Sequence, residues 1–324
     1  MYRFSFYPYR RQFCQPLRTH HGAWNTREGI ILKLTDKAGN IGLGEIAPLP
    51  WFGSETIEQA IKLCHQLPKQ IDETKIFAIP NRFPASQFAF ESALSSVTEN
   101  SHSKTRFKTL LDTFPNSQLL PTGKAVFSLF DFQKKELESR FDEKQTFKWK
   151  IGVTDIKTEL QWFDRLLQLL PPHAKLRLDA NGGLTWETAN RWLAACEGKS
   201  IEFLEQPLPI DRFDEMLKLQ ERYTTSIALD ESVATLAQME TCIDRGWRGL
   251  FVVKASIVGS PAQLRQLCKT HHLDTVFSSV FETRIGRESA LKLAAELQRV
   301  PRAVGFGIEH WFAEDDETVL RQIW

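Results

Sequence analysis

The feature that most constrains the fold is a row of five apolar runs, each ending on a charged residue. They are Phe147-Lys148-Trp149-Lys150, Leu176-Arg177-Leu178-Asp179, Ile201-Glu202-Phe203-Leu204-Glu205, Ile227-Ala228-Leu229-Asp230 and Leu250-Phe251-Val252-Val253-Lys254. Their terminal charges follow one another at intervals of about 25 to 30 residues, the length of one strand plus one helix in a (β/α)8 barrel. Helical stripes fill the intervals: Leu160, Phe163, Leu166, Leu167 and Leu170 share one side, and Trp186 to Cys196, Phe213 to Arg222, Leu236 to Arg245, Ala262 to His271 and Arg287 to Leu297 continue the series. Such alternation argues for a parallel sheet covered by helices. A doubly wound sheet shares the rhythm, but its ligand sits where strand order reverses, usually beside a Gly-rich phosphate turn. No G-x-G-x-x-G or G-x-x-x-x-G-K-[ST] occurs here. Charges at successive strand ends favour the closed barrel, whose strand ends all converge on one mouth.

The first hundred residues read differently. Ile30-Ile31-Leu32-Lys33-Leu34 and Ile41 to Ile46 flank the turn-rich Asp36-Lys37-Ala38-Gly39-Asn40, which predicts an antiparallel hairpin. A helical stripe at Ile57, Ala60, Ile61, Cys64 and Leu67 follows a start signal at Ser54 and Thr56, and Phe88 to Val97 predicts another helix. Glu99 to Gln118 is polar around a short apolar patch at Leu110-Leu111, and a domain boundary falls there. Ala125 to Phe130 then leads to a helix expected near Asp131 to Arg140. The expected organisation is an α+β capping domain over 1–110, a (β/α)8-type barrel, a modified TIM barrel, over 111–310, and a tail over 311–324 returning to the cap. At 324 residues the chain is long enough for a barrel with such an addition. Forty-one basic against forty acidic residues leave a net charge of +1, so no global field draws nucleic acid or an anionic membrane. Five scattered cysteines without a C-x-x-C pair suit a reducing cytosol, and no apolar run is long enough to span a bilayer. The expectation is a soluble cytoplasmic protein acting on a small molecule.

The strand-end charges define the chemistry. Three carboxylates, Asp179, Glu205 and Asp230, would repel one another if they converged without compensation, and a divalent cation resolves that conflict. Oxygen-only ligation suits Mg²⁺, which keeps positions for a substrate carboxylate. Taken singly, each acid reads equally as a salt-bridge partner or a solvent-facing carboxylate. Lys148 and Lys150 alternate with Trp149, so both ammonium groups face one side while the indole turns to the helix layer. Like charges that close depress each other's pKa, and a lysine moved toward neutrality can act as a general base. Lys254 would face the pair across the mouth. Two lysine arms flanking a metal describe proton abstraction next to a carboxylate, with the metal holding the resulting enediolate.

Lys-x-Lys, Leu-Asp-Ala-Asn, Leu-Glu-Gln-Pro, Asp-Glu-Ser and Val-Val-Lys, in this order, resemble the enolase superfamily in its muconate-lactonising-like branch. A lysine base working with Mg²⁺ is the known general pattern of that superfamily, not something the spacing of these residues establishes. Within the branch, Thr26-Arg27-Glu28-Gly29, Gly42 to Thr56 and Ser278-Ser279-Val280-Phe281-Glu282-Thr283 are similar to the o-succinylbenzoate synthase family. That resemblance implies a syn dehydration of 2-succinyl-6-hydroxy-2,4-cyclohexadiene-1-carboxylate in menaquinone or phylloquinone biosynthesis.

It further implies that Lys150 removes the proton α to the ring carboxylate and returns a proton to the departing hydroxyl. Lys254 stabilises the enediolate, over a ring face, and Lys148 tunes Lys150. Asp179, Glu205 and Asp230 hold Mg²⁺, for which Mn²⁺ can substitute. Arg177, Asn181, Ser278 and Gly305 join as substrate-side residues, Gly305 as a backbone donor to the succinyl carboxylate. Arg177 reads equally as orienting a metal ligand or as a structural ion pair, and the Ser278 hydroxyl as capping its own strand. The aromatic loops at Trp24 to Gly29 and Trp51 to Gly53 either close the mouth or pack between domains. Two departures from the family pattern stand out: Ala255-Ser256 where proline is frequent, and Gly305-Phe306-Gly307-Ile308 in place of Gly-Leu-Asp. The alternatives are an N-succinylamino acid racemase or dipeptide epimerase of the same superfamily, and a barrel scaffold without catalysis.

Overall fold

The computed structural model describes residues 1–19, 22–100, 114–128, 145–321 and 323. The helix expected near 131–140 and the Leu110-Leu111 patch lie outside these residues. The chain begins with a four-stranded antiparallel sheet in the order β3-β2-β1-β4, formed by β1 (Tyr2–Thr19), β2 (Gly22–Thr35), β3 (Ile41–Ile46) and β4 (Gln70–Ile71). Alternation along β2 explains its almost continuous apolar run. Ile30, Leu32 and Leu34 pack with Phe4 and Ile46 against Ala89, Phe90 and Ala93 of the helix Pro84–Asn100. Ile31, on the opposite face, packs with Tyr9, Ile285, Val319 and Leu320. Both faces of the sheet are therefore covered, one by local helices and one by distant parts of the chain.

Two glycines permit the first of these contacts. A Cβ at Gly42 would stand 2.0 Å from Ala93 O, and one at Gly44 would stand 2.0 Å from Ala89 O. The helix lies on bare backbone there, and no larger residue fits without moving it. Phe88 of the same helix joins the core of the second domain, so this helix ties the two together.

The second sheet is parallel and seven-stranded: β5 (Gln118–Leu119), β6 (Thr146–Lys150), β7 (Lys175–Asp179), β8 (Ile201–Glu205), β9 (Ile227–Leu229), β10 (Leu250–Val253) and β11 (Asp274–Phe277), each paired with the next in sequence. Val304 bridges Asn116 ahead of β5, and Gly305 bridges Ser278 beyond β11, so the segment 304–305 meets both edges and takes the eighth position of the ring. Neither β5 nor β4 stands out in the sequence, because each pairs over two residues only. Outward residues such as Phe147, Trp149, Leu176, Leu178 and Leu204 join the helix layer. Inward ones form a separate plug of Phe203, Ala228, Leu250, Val252 and Val276. This is the filled interior of a TIM barrel, with the charged strand ends at one mouth.

Below that mouth lies an ion network. Arg177 Nε donates to Glu202 Oε2 at 2.6 Å, and Arg177 Nη2 donates to Ala303 O at 2.7 Å. Arg302 bonds Glu202 and Asp274 from the other side. Arg177 is 2 % exposed, so removing it would leave the buried Glu202 carboxylate half-compensated. Arg177→Ala is expected to destabilise the fold by about 3 kcal/mol, read as a lower urea midpoint. A midpoint unchanged from the parent would contradict this structural role.

The seam between the two domains is also charged. Glu45 of β3 accepts hydrogen bonds from Tyr9 Oη, from Thr283 N at 2.9 Å and from Gly286 N at 3.0 Å, and is also bonded by the Thr283 hydroxyl. Beside it, Glu282 accepts from Ser279 Oγ at 2.8 Å and Val280 N at 2.6 Å, while its Oε1 has no partner among the described residues. Burial pushes the Glu282 carboxyl up to about 7 against the pull of these hydrogen bonds, and the charge of Glu45 adds to the rise. A carboxyl raised in the folded state contributes stability below its unfolded value of 4.5, and that contribution is lost as pH rises through about 7. Glu282→Gln should therefore gain on the parent between pH 5 and pH 8 by up to about 3 kcal/mol, measured by urea unfolding at both pH values. An equal difference at both would contradict it.

Candidate active site

Each charged side chain at the barrel mouth is aimed by strand alternation. On β6, Trp149 is fully buried and meets the Trp192 ring edge-on at 6.3 Å, in the helix layer. Lys148 and Lys150 consequently point inward. Lys148 Nζ lies 2.8 Å from Asp179 Oδ2 and 2.7 Å from Glu205 Oε1, bridging the ends of β7 and β8. Lys150 forms no ion pair or hydrogen bond among the described residues. Lys254, directly after β10, pairs with Asp230, which directly follows β9. Since β6 and β10 are four positions apart in a ring of eight, Lys150 and Lys254 stand on opposite sides, with the carboxylates between them.

The electrostatics depart from the expectation for Lys148. Burial works against its charge, but the fields of Asp179, Glu205 and Asp230, with the hydrogen bond to Asp179, outweigh it and hold its pKa above the ordinary lysine range. The depression expected from a like-charged neighbour is overridden, because two acids bond the Lys148 ammonium directly. Asp179 answers in kind: burial would raise its carboxyl, yet the charge of Lys148, its hydrogen bond and the charge of Lys150 lower it. Glu205 is raised by burial and by the charge of Asp179. Asp230 is raised by burial, against the pull of Lys254 and with Glu231 adding to the rise. The mouth thus holds more buried negative charge than its paired ammonium groups neutralise.

The donor set fits a hard divalent cation: Asp179, Glu205 and Asp230 offer only oxygens, on three successive strand ends. A positive charge, the ammonium of Lys148, already sits within hydrogen-bond distance of two of them. Among the described residues no three acidic, histidine or cysteine groups close around a single point.

The substrate-side residues divide. Asn181 N donates to Asp179 Oδ1 at 3.0 Å and Asn181 Nδ2 to Glu231 Oε1 at 3.3 Å. Its φ of 44° is a left-handed conformation that asparagine tolerates. Ser278 stands at the end of β11 against Gly305, where an added Cβ would come within 2.9 Å of Ser278 Oγ. Gly305 cannot serve as the expected backbone donor, because its N–H is already given to Phe277 O at 2.9 Å in closing the ring. Arg177 is likewise not at the mouth. It lies one inward position below Asp179 on β7 and is held by Glu202 and Ala303, which is the structural ion pair of the two readings.

Three residues with evident roles escaped the sequence reading, as did the contact made by a fourth, Phe52, whose loop it had singled out. Gln206, fully buried with φ of 36°, accepts from Asp230 N at 3.0 Å and Ser232 N at 3.2 Å and donates to Ser232 Oγ at 2.7 Å, locking the end of β8 to the loop after β9. Glu231 adds a fourth carboxylate, raised chiefly by burial. Both sit inside motifs read for their first acid alone. Glu159, on the helix Ile156–Leu169, accepts from Gly152 N, Val153 N and Thr154 N at 2.9, 2.7 and 3.1 Å, fixing the loop that leaves Lys150. Its only sequence signal is an acid in the first turn of a helix. Phe52 of the capping loop places its ring 4.1 Å from Lys254 Nζ, and no sequence pattern links residues so far apart.

Comparison with known proteins agrees with this architecture. The profile of the MenC N-terminal domain matches residues 1–97, and that of the enolase C-terminal domain-like family matches residues 134–321. The chain is 40 % identical over 309 residues to an o-succinylbenzoate synthase of Thermosynechococcus vestitus, covering 94 % of this chain and 91 % of that protein. It is 24 % identical to the Bacillus subtilis o-succinylbenzoate synthase, over 95 % of this chain and 85 % of that one. The crystal structure of o-succinylbenzoate synthase from Thermosynechococcus elongatus BP-1, described as complexed with Mg in the active site, superposes with a TM-score of 0.86 at 38 % identity and covers 99 % of each chain. The L-Ala-D/L-Glu epimerase of Bacillus subtilis shares the fold at TM-score 0.77 and 21 % identity, over 97 % of this chain and 91 % of that one.

Proposed function

We infer the reaction from a premise those likenesses supply: this chain belongs to the enolase superfamily and, within it, to the o-succinylbenzoate synthase family. The activity is that of a carbon-oxygen lyase, a dehydratase that converts 2-succinyl-6-hydroxy-2,4-cyclohexadiene-1-carboxylate to o-succinylbenzoate. Lys150 is the base. It takes the proton α to the ring carboxylate and, as its conjugate acid, returns a proton to the hydroxyl that leaves from the same face. The ring becomes aromatic, which drives the elimination. The observation that carries this assignment is that Lys148 and Lys254 are each tied to carboxylates, while Lys150 has no ion pair or hydrogen bond among the described residues. A base needs a lone pair to offer, and an ammonium locked between two carboxylates has none.

Lys254, on the opposite side, holds positive charge where negative charge develops on the substrate carboxylate. Lys148 keeps Asp179 and Glu205 in register and sets the field around Lys150. Asp179, Glu205 and Asp230 would hold Mg²⁺, with Mn²⁺ as a substitute, and Asn181 and Gln206 fix the first and last of these acids. When bound, the ion supplies positive charge at the substrate carboxylate oxygens. Ser278 faces the substrate from the end of β11. The division into a cap over 1–110, a barrel over 111–310 and a tail over 311–324 is supported by the contacts of Phe312 with Phe13 and of Val319 and Leu320 with Tyr9. We place the reaction in menaquinone or phylloquinone biosynthesis, in the cytoplasm. No helix among the described residues is long and apolar enough to cross a membrane.

The test sets two substrates side by side. Metal-loaded protein should form the aromatic product from the cyclohexadiene, and do so faster than it exchanges solvent deuterium into the α-position of N-succinylamino acids. Faster exchange than dehydration would assign the site to racemisation instead.

A further inference from the structure

We propose that Phe52 is a positioning residue for the reaction: its ring face holds the Lys254 ammonium opposite Asp230, so that the capping domain completes the electrostatics of the barrel mouth. The inference rests on the role given to Lys254 above. Lys254 Nζ lies 4.1 Å from the centroid of the Phe52 ring, with Asp230 as its ionic partner. The side chain of Lys254 is only 12 % exposed, so these contacts replace most of its water. A cation over an aromatic face is attracted by the ring quadrupole, the more so when desolvated. The chemistry suits the task. A second carboxylate in the place of Phe52 would compete with the substrate for the ammonium, whereas a ring orients it without adding a negative charge to that of Asp230.

The loop that carries Phe52 is built to stay in place. Arg27 Nη1 donates to Pro48 O at 2.7 Å, and Leu49 N donates to Ser54 Oγ at 2.7 Å. Pro50–Phe52 forms a short 3-10 turn that Gly53 ends with φ of 97°, where its N–H returns to Pro50 O at 3.1 Å. Half-buried Phe52 packs on a core that includes Ile257, three residues beyond Lys254. Arg27 also lies over Trp24, whose ring meets Trp51 edge-on at 5.0 Å. The segment is thus fixed on both sides of Phe52, and the ring reaches Lys254 as part of a held surface.

Phenylalanines carrying one, two and three ring fluorines at position 52 test this, because they keep the ring's shape while draining its negative face. The expected result is a stepwise fall in kcat, about tenfold by the third fluorine, with KM within about twofold. A purely structural role would give no such gradient, since fluorination leaves the apolar volume nearly unchanged. Phe52→Leu should lose as much, and Phe52→Tyr should recover it. A flat or rising series in an active parent overturns the inference and leaves the assigned reaction standing. A parent that turns over no cyclohexadiene substrate overturns both. If Phe52→Leu fails to fold, the fluorinated series decides alone.

Discussion

Replacing Lys150 with alanine is expected to lower kcat by about 10⁴-fold while leaving the fold intact. General acid–base catalysis by one positioned group contributes about 10² to 10⁴, and Lys150 is assigned both the abstraction and the protonation of the leaving hydroxyl. The loss should fall at the upper end because no second lysine can take over. Lys148 is half-buried and bonded to both Asp179 and Glu205, and Lys254 lies across the mouth on Asp230. Stability should hardly change, since Lys150 forms no ion pair among the described residues whose loss would strand a buried carboxylate. The thermal midpoint of Lys150→Ala is therefore expected within about 1 °C of the parent, less than the roughly 1.5 °C by which a 1 kcal/mol change moves a chain of this size. Lys148→Ala makes the contrast: it loses activity and stability together, because Asp179 and Glu205 are left facing each other without the ammonium between them. A Lys150→Ala protein retaining a tenth of parental kcat would remove this residue from the chemistry.

The second large effect belongs to the carboxylates. Glu205→Gln should weaken the binding of Mn²⁺, the spectroscopic stand-in for Mg²⁺, by at least about 100-fold, more than the loss of an outer partner of a metal ligand costs. Glu205 stands between Asp179 and Asp230 in strand order, and burial with the charge of Asp179 raises its carboxyl. The neutral amide keeps the shape and relieves the repulsion, so the fold should survive. What it removes is the negative charge that a divalent ion requires. Mn²⁺ titration followed by paramagnetic resonance reads affinity directly, apart from turnover. Parental affinity in Glu205→Gln would exclude Glu205 as a ligand, whatever happened to activity.

The strand-end charges were legible in the sequence because they obey two local rules at once: alternation along each strand, and recurrence at the length of one strand–helix unit. Ile201–Glu205 and Trp186–Cys196 lie where those rules put them. What the sequence hid is long-range or set by irregularity. The pairing of β7 with β8 slips between Leu176 and Arg177, and that slip sets Glu202 beside the Arg177 guanidinium. Strict alternation would have turned Glu202 away from Arg177, so the partner that decides between the two readings of Arg177 is not visible in the sequence. For Gly305 the family resemblance implied a backbone donor, but closing the ring claims its N–H for Phe277. Glu45 and Thr283 meet across 238 positions of sequence, and Phe52 meets Lys254 from a different domain. No periodicity encodes such contacts, although the aromatic residues of Trp51 to Gly53 marked that loop as one that either closes the mouth or packs between domains.

The dehydration itself is the most direct test of Lys150 as the base of a metal-dependent lyase. The protein, stripped of metal with a chelator and reloaded with Mg²⁺, is mixed with 2-succinyl-6-hydroxy-2,4-cyclohexadiene-1-carboxylate, and the loss of diene absorbance is followed together with the aromatic product. Turnover is expected in the reloaded protein, none in the stripped protein, and none above background in Lys150→Ala. Folded, Mg²⁺-loaded protein that forms no o-succinylbenzoate would contradict the assignment.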